Sequence, residues 1–443
     1  MSDRVELLVI GAGPCGLGAG LGLMASVPSD AWQLVEASPV AGGLAGSATD
    51  ASGFTWDYGG HVTFSRDRSF VNAMDLLLGE DGWNRLDRRA WAIVEGQWIQ
   101  YPVQHHWPQR GAIGDTCRHV SPIQTGGNLE DWALGEFGDE LVEAFFRPYN
   151  EKLWSVPMRE IGTQWMEDRV ALSARAPTRP WGGNSQFAYP AHGGAGAPWR
   201  RLAARLSDAG GRLRYGQTVI SVDLARKIAR LSDRSEIHFG SLISTMPIDR
   251  LVELTEVPAE LRGQVHRLKR NRVTVVGVGM QGAPPEDLPE FTWIYAADPE
   301  LPFYRVSQLS AYSAANTPGA SHWSLLVECS AAESGDASPT DSDVLDGLRR
   351  VRLLAEDHLC RSIWRAELEY GYPVPTLDRD DLIDPVLAFL EDRGCFSRGR
   401  FGDWAYETSG QDQAFQKGLE TVSQISGIQV PPASDAMRHL LTQ

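Results

Sequence analysis

The stretch VELLVIGAGPCGLGAG, residues 5–20, decides how the rest of this 443-residue chain is read. Leu7, Leu8, Val9 and Ile10 form a short apolar run of the kind that becomes a buried parallel strand. The run enters Gly11-Ala12-Gly13-Pro14-Cys15-Gly16, which has the spacing of a dinucleotide-binding turn. Gly11 permits the tight turn from strand to helix. Gly13 leaves room for a pyrophosphate against the main chain, and Gly16 lets the helix pack close to the strand. The helix N-terminus adds unpaired N–H groups and a positive dipole end for the phosphates. A second strand, residues 32–35, is closed by Glu36, an acid placed to accept from both hydroxyls of an ADP ribose. The expected fold class is therefore α/β with a Rossmann-like dinucleotide domain. Residues 7–27 carry no charge and are long enough to span a bilayer. Their glycines, Pro14 and the lack of a preceding cationic cluster argue against a signal peptide or membrane helix.

The length predicts two or three domains. Hydrophobic residues make up 42% of the chain and charged ones 22%, ordinary values for a globular protein. A net charge of -16 argues against nucleic acid as a partner, so an anionic substrate would need arginines gathered locally. The five cysteines (Cys15, Cys117, Cys329, Cys360 and Cys395) are odd in number and lack C-x-x-C spacing. No disulfide framework or zinc site follows, and a reducing compartment, the cytoplasm, is expected. Fifteen tryptophans are numerous enough to line a site as well as fill a core.

Further along, Gly42-Gly43-Leu44 suits a second close approach of main chain to cofactor, and residues 54–61 read as a strand ending in Gly59-Gly60-His61. Residues 91–101 read as a hairpin turning at Glu95-Gly96. Residues 128–170 have helical spacing, with Trp132, Leu134, Phe137, Leu141, Phe145 and Phe146 on the apolar face. A Pro/Gly-rich crossing follows at 175–196, then a helix at 202–206 and strands at 212–215, 218–222 and 242–247. A mainly antiparallel sheet is expected from 273–280, 293–295, 303–309 and 323–329. A helix is expected around 345–359, a closing segment at 395–417, and a loosely held tail after residue 428.

At Gly59-Gly60-His61 the chain resembles the UDP-galactopyranose mutase family, and its eukaryotic-type branch more than the common bacterial one. The stretches that carry the resemblance are DYGGHVTFS (57–65), GQWIQYPVQ (96–104), FFRPYNEKLWSVP (145–157), NSQFAYPAHGGAGAPW (184–199), ISTMPID (243–249), LPFYR (301–305), GYPVPTLDR (371–379) and SRGRFGDWAYE (397–407). They cover nearly the whole length in family order.

The resemblance implies FAD, and a flavin-dependent isomerase that interconverts pyranose and furanose forms of a UDP-sugar through an adduct at N5 of the reduced flavin. UDP-galactose is the expected substrate and NADPH the expected reductant. It implies a discontinuous FAD domain (1–85, 192–246 and 392–430), a helical domain (112–185) and an antiparallel-sheet domain (86–111 and 247–391). It places Arg169 and Arg305 on the diphosphate, with Tyr312, Tyr372 and Tyr406. Tyr101 and Gln104 would hold uridine, and Asn150, Trp154, Asn184, Trp293 and Tyr295 would line the uridyl or sugar region. His61 would sit beside the isoalloxazine, Arg400 at its pyrimidine side, and Gly410 and Gln411 against the ring through their main chain. Gly11, Gly13, Gly16, Glu36, Ser38, Gly43, Leu44, Gly60 and Val219 complete the FAD set.

Several positions depart from the family pattern: Arg66 for a histidine, Pro180 for an asparagine, Val103 for an aromatic, Ala90 for a serine near the retained Arg88, and Gly410 for an asparagine. Three alternatives stay open from sequence. One is a mutase for another nucleotide sugar, another an amine-oxidase-like FAD oxidoreductase, and the third a non-catalytic sensor on the same fold. For both arginines the competing role is a structural ion pair.

Overall fold

Residues 7–10 lie in the parallel part of a seven-stranded sheet, and the glycine turn at 11–16 leaves from its C-terminal edge. The structure is a computed structural model that describes residues 2–107, 127–166, 185–335, 337–408, 410–427 and 429–442. The first part of the chain runs β1 (Ser2–Ile10), α1 (Pro14–Ser26), β2 (Trp32–Val35), β3 (Ser47–Thr49), β4 (Thr55–Asp57), α2 (Arg68–Leu78), β5 (Trp83–Asp87), β6 (Ala90–Val94), β7 (Gln97–Gln100) and α3 (Val103–His106). Next come α4 (Leu129–Leu141), α5 (Arg147–Trp154), β8 (Gln186–Pro190), α6 (Ala197–Asp208), β9 (Leu213–Arg214), β10 (Val219–Asp223), β11 (Ile228–Leu231), β12 (Glu236–Ser244), α7 (Ile248–Glu253) and α8 (Ala259–Val265). The rest is β13 (Asn271–Gln281), β14 (Trp293–Ala296), β15 (Arg305–Ser307), α9 (Leu309–Tyr312), β16 (His322–Ala332), α10 (Asp341–Arg350), β17 (Leu359–Leu368), α11 (Arg379–Glu391), β18 (Cys395–Ser397), α12 (Gln411–Ser426) and α13 (Ala433–Thr442).

The first sheet has the order β10-β11-β12-β1-β2-β9, with β18 on the far end of β12. β1 pairs in parallel with β2 and β12, and β18 and β9 continue the parallel part. β10 and β11 form an antiparallel extension. Strands buried on both faces are apolar throughout, which is why 7–10 shows no alternation. The uncharged stretch that follows is explained by burial: α1 is buried along nearly its whole length and shares a core with Phe415 and Leu419 of α12. No described helix is long and apolar enough to cross a membrane.

The second sheet has the order β17-β13-β16-β15-β14-β6-β7 and is antiparallel except where β14 meets β6. Its strands alternate. Val306 and Val327 point to one side, into a core with Val344 and Leu348 of α10. The residues between them face the first sheet. On that inner face β13 carries glycine where the β3–β4 hairpin docks. A Cβ on Gly277 would lie 2.5 Å from the Trp56 indole, and one on Gly279 would lie 2.7 Å from the Phe54 ring. The hairpin leads directly into Gly59-Gly60-His61. Its base is fixed by the buried Asp57 carboxylate, which accepts from Ser47 Oγ (2.6 Å), Tyr189 Oη (2.8 Å) and the Ala195 N–H (2.9 Å).

Within the expected helical region, Asn128 caps α4 by accepting the Asp131 N–H at 2.8 Å, and the path bends at Gly138 (φ 75°). α5 ends at Ser155, which adopts φ 58°.

Four expectations need correction. The helix read at 345–359 ends at Arg350, and Leu359 opens β17, whose edge exposure leaves a mixed pattern. The tail after 428 contains α13, which buries Ala436, Met437 and Leu440 in the core that also holds Phe70 of α2. The range 247–391 assigned to the antiparallel-sheet domain includes α7, α8 and α11, yet these pack Leu251, Val265 and Val386 into the core of the first sheet. The expected strand 303–309 is shorter, because Leu309 begins α9.

Gly277→Ala places a methyl inside the van der Waals radius of a rigid indole. Overpacking typically costs about 1–3 kcal/mol, which exceeds the ~0.5–1 kcal/mol that alanine gains over glycine in a strand. Calorimetry is expected to show a lowered melting temperature. Gly263→Ala, in α8 with open space around the new methyl, is expected to raise it slightly.

Candidate active site

The C-terminal ends of β1, β2, β12 and β18 open into a cavity of about 880 Å³ lined by Gly11, Gly13, Glu36, Gly43, Leu44, Val219, Thr245 and Gly399, among others. This is the crevice at which parallel α/β sheets bind ligands. Gly11 has φ 102°, and any side chain there would collide with Thr245 Oγ1 at 2.1 Å. Gly13 and Gly43 face one another, with the Cβ position of Gly43 only 3.2 Å from Gly13 Cα. The cradle therefore presents bare main chain to a pyrophosphate. Glu36 accepts the Ala12 N–H at 2.6 Å and the Ser38 N–H at 2.7 Å, which uses two of its lone pairs and leaves two for a ribose. These features fit FAD.

A second cavity of about 630 Å³ meets the first at His61, Arg400 and Gln411, which line both. Its wall is the inner face of the second sheet. Tyr295 on β14 pairs in register with Arg305 on β15, which pairs in register with Glu328 on β16. One step along, Trp293 is level with Ser307. Side chains two apart share a face, so the strand register alone aligns Trp293, Tyr295, Arg305, Ser307 and Glu328. Tyr372, Tyr406, Arg88 and Gly410 complete the enclosure, and Arg66 stands at its rim.

Arg305 grips Glu328 with two prongs, Nε to Oε2 at 2.5 Å and Nη2 to Oε1 at 2.7 Å. The same carboxylate accepts Tyr304 Oη at 3.0 Å and the Gly60 N–H at 3.3 Å. Burial acts against both charges, but each holds the other ionised: Glu328 is pulled below the usual carboxylate range and Arg305 is raised well above its own. Two of five guanidinium donors are used by Glu328, and the side chain keeps a fifth of its surface open to the cavity. His61 is driven down to about 3, first by burial and then by the Arg400 charge, so the imidazole is neutral at physiological pH. Among the described residues its buried Nδ1 has no hydrogen-bond partner, which leaves a polar atom available to a ligand at the junction. Burial also raises the Tyr372 phenol, which stays protonated and able to donate.

Other predicted residues form the layer behind this wall. Tyr101 packs on Tyr295 with centroids 4.6 Å apart. Trp154 is fully buried, edge-on to Tyr406 at 4.7 Å. Asn150 is buried and donates to the Phe146 carbonyl at 2.8 Å. Tyr312 is 1% exposed and packs on Phe187 and Tyr189, behind the cavity wall. Gln104 lies in α3, and Val103 beside it is buried. Ser38 is placed next to Glu36 but off the cavity wall, where its hydroxyl accepts the Val40 N–H. Gly16 packs α1 against the turn, its Cβ position 1.9 Å from the Gly11 carbonyl. Arg169, Asn184 and Pro180 lie outside the described residues.

Glu328 escaped the sequence reading. Its signal was present: a lone acid in the apolar strand LLVEC must be paired when buried. Arg88 is also more central than expected. It donates to Tyr295 Oη at 3.2 Å and lies over the rings of Trp293 (5.0 Å) and Tyr101 (5.7 Å).

Comparison with known proteins agrees with this geometry. Residues 131–421 match the family model described as flavin containing amine oxidoreductase. A crystal structure of reduced UDP-galactopyranose mutase superposes with a TM-score of 0.87 at 31% identity, covering 99% of this chain and 98% of that one. A protein from Exiguobacterium sp. 255-15, provisionally designated a protoporphyrinogen oxidase, follows at TM-score 0.74, 18% identity and 97% and 100% coverage. Wild-type putrescine oxidase bound to putrescine gives TM-score 0.67, 13% identity and 97% and 100% coverage. The last two share the fold. Length, identity and superposition together show that this FAD-binding chain belongs to the UDP-galactopyranose mutase family, within the flavin-containing amine oxidoreductases.

Proposed function

We propose that this chain interconverts the pyranose and furanose forms of a UDP-sugar, with UDP-galactose the first candidate, as its eukaryotic-type motifs suggest. The observation that carries the reading is the junction of the two cavities, where a dinucleotide cradle opens onto a buried arginine flanked by tyrosines. Reduced FAD, when bound, supplies a nucleophilic N5 for the anomeric carbon of the sugar.

The chain's own residues do the remainder. Arg305 neutralises the diphosphate as it leaves and returns, with Glu328 fixing the plane of its guanidinium. Tyr372 and Tyr406 donate hydroxyl hydrogen bonds to the same oxygens. Neutral His61 would present an uncharged imidazole beside the isoalloxazine, and Arg400 would stand at its pyrimidine side. Trp293 and Tyr295 hold the uridyl end, backed by Tyr101 and Arg88. Arg169 and Asn184 join this set through the family resemblance. NADPH is the proposed reductant, and the cytoplasm the proposed compartment. Ala90 offers no hydroxyl, and Arg88 is engaged with the substrate-pocket aromatics, so reduction by NADPH should be slower than in relatives with the serine.

Incubating purified protein with a panel of UDP-sugars tests the reading. Furanose product is expected after dithionite reduction and none with the oxidised flavin in air. Oxidation of an amine in air, with no sugar isomerised, would replace the mutase reading by the amine-oxidase one.

A second prediction follows from the ion pair. Arg305→Ala would strand Glu328 as a buried unpaired charge, which typically costs about 3–5 kcal/mol, so that variant mixes stability with catalysis. Arg305→Lys keeps the charge but loses the two-pronged contact. It is expected to fold and retain FAD while turnover falls by about a hundredfold, the typical loss on removing one preorganised donor. Melting temperature, bound FAD and single-turnover rate on one preparation check this. A wild-type rate would place the diphosphate elsewhere.

A further inference from the structure

Helix α5 ends against the active-site wall, and one of its side chains is used by nothing described so far. Lys152 Nζ donates to three main-chain carbonyls: Ala296 at 3.1 Å, Asp298 at 2.5 Å and Phe303 at 3.3 Å. Ala296 ends β14, one residue after Tyr295. Phe303 lies two residues before Arg305. The lysine thus closes both ends of the connection between the two strands that carry Tyr295 and Arg305. Its own carbonyl accepts from Ser330 Oγ on β16. The neighbouring Leu153 carbonyl accepts Asn271 Nδ2 at 2.6 Å, and Asn271 Oδ1 accepts the Tyr372 N–H at 2.7 Å.

We propose that Lys152 is a positioning residue for the UDP-sugar site, its ammonium holding Tyr295 and Arg305 in register with Tyr372 for UDP. The proposal rests on the mutase reading given above. Three carbonyls converge on one point, and only a protonated amine has three N–H donors to satisfy them. Burial among carbonyls lowers this lysine to about 8. The Asp298 carboxylate opposes that shift, and the other titratable neighbour, Cys329, is itself pushed up to about 12 by burial. The proton is therefore lost as pH rises through about 8, and one of the three carbonyl contacts goes with it. Among the groups in and behind the cavity wall, His61 titrates near 3, Glu328 is held below its usual range, and the Tyr101, Tyr304, Tyr312 and Tyr372 phenols are held above theirs.

The test is UDP affinity of the FAD-loaded oxidised protein between pH 7 and 9.5, with melting temperature and bound FAD measured alongside. The wild type is expected to lose affinity by about tenfold, centred near pH 8, the scale of one charge-assisted hydrogen bond. Lys152→Met should bind about tenfold more weakly at pH 7 and show no limb. Lys152→Arg, charged throughout, should bind near the wild-type neutral value with the limb abolished. A wild-type affinity independent of pH overturns the proposal, even if neither variant folds. So does a folded Lys152→Met protein that binds as wild type or keeps the limb. A lysine that is merely structural would lower melting temperature and flavin content while the surviving protein kept the wild-type profile. A wild type that binds no UDP at any pH removes the mutase reading itself, whereas normal wild-type binding with an unchanged Met variant removes the role of Lys152 alone.

Discussion

The Arg305–Glu328 pair is the constraint on which the rest of the site depends. Two charges taken out of water carry a desolvation cost that only good geometry repays. Here geometry comes from strand register, since β15 and β16 place the two residues directly opposite one another. A slip of one residue would turn Arg305 toward α10 and bring Val306 into the cavity. The carboxylate also reaches out of the sheet. By accepting the Gly60 N–H it ties the glycine loop that follows the β3–β4 hairpin to the second sheet, and it also accepts the buried Tyr304 hydroxyl. One buried acid therefore sets both the arginine's plane and the loop's position.

The parts of this arrangement that are local in sequence were legible in it. The strand, the glycine turn and Glu36 lie within 32 residues, and their spacing is dictated by a pyrophosphate and a ribose. The hairpin at Glu95-Gly96 and the inner strands of the second sheet also show in the pattern, because turn chemistry and alternation are local. Depth in the site was not legible. Tyr312, Trp154 and Asn150 sit behind the cavity wall, and nothing in their immediate sequence separates a residue that lines a cavity from one that supports it. Glu328 and Asp57 were missed because their roles are made by contacts from distant segments. The Gly60 N–H that Glu328 accepts is 268 residues away, and the Tyr189 hydroxyl on Asp57 is 132 residues away. The edge strand β17 and the terminal α13 were misjudged because exposure blurs strand alternation and because a helix docked at a chain end looks polar until its partner, α2, is known.

Among the described residues, the departures from the family pattern lie in or beside the second cavity, while Gly11, Gly13 and Glu36 of the first are retained. Arg66 and Gly410 both line the second cavity, Ala90 begins the strand beside Trp293, and Val103 is buried in α3. Arg305, Tyr372 and Tyr406 still line that cavity.

On the proposed function, Arg305 serves Glu328 and a diphosphate at once. A crystal structure of the reduced protein with UDP measures this directly. UDP is expected in the second cavity, with Arg305 donating to a phosphate oxygen at about 2.8 Å while both prongs on Glu328 remain. UDP bound elsewhere, or a diphosphate out of reach of Arg305 with the pair undisturbed, would contradict it.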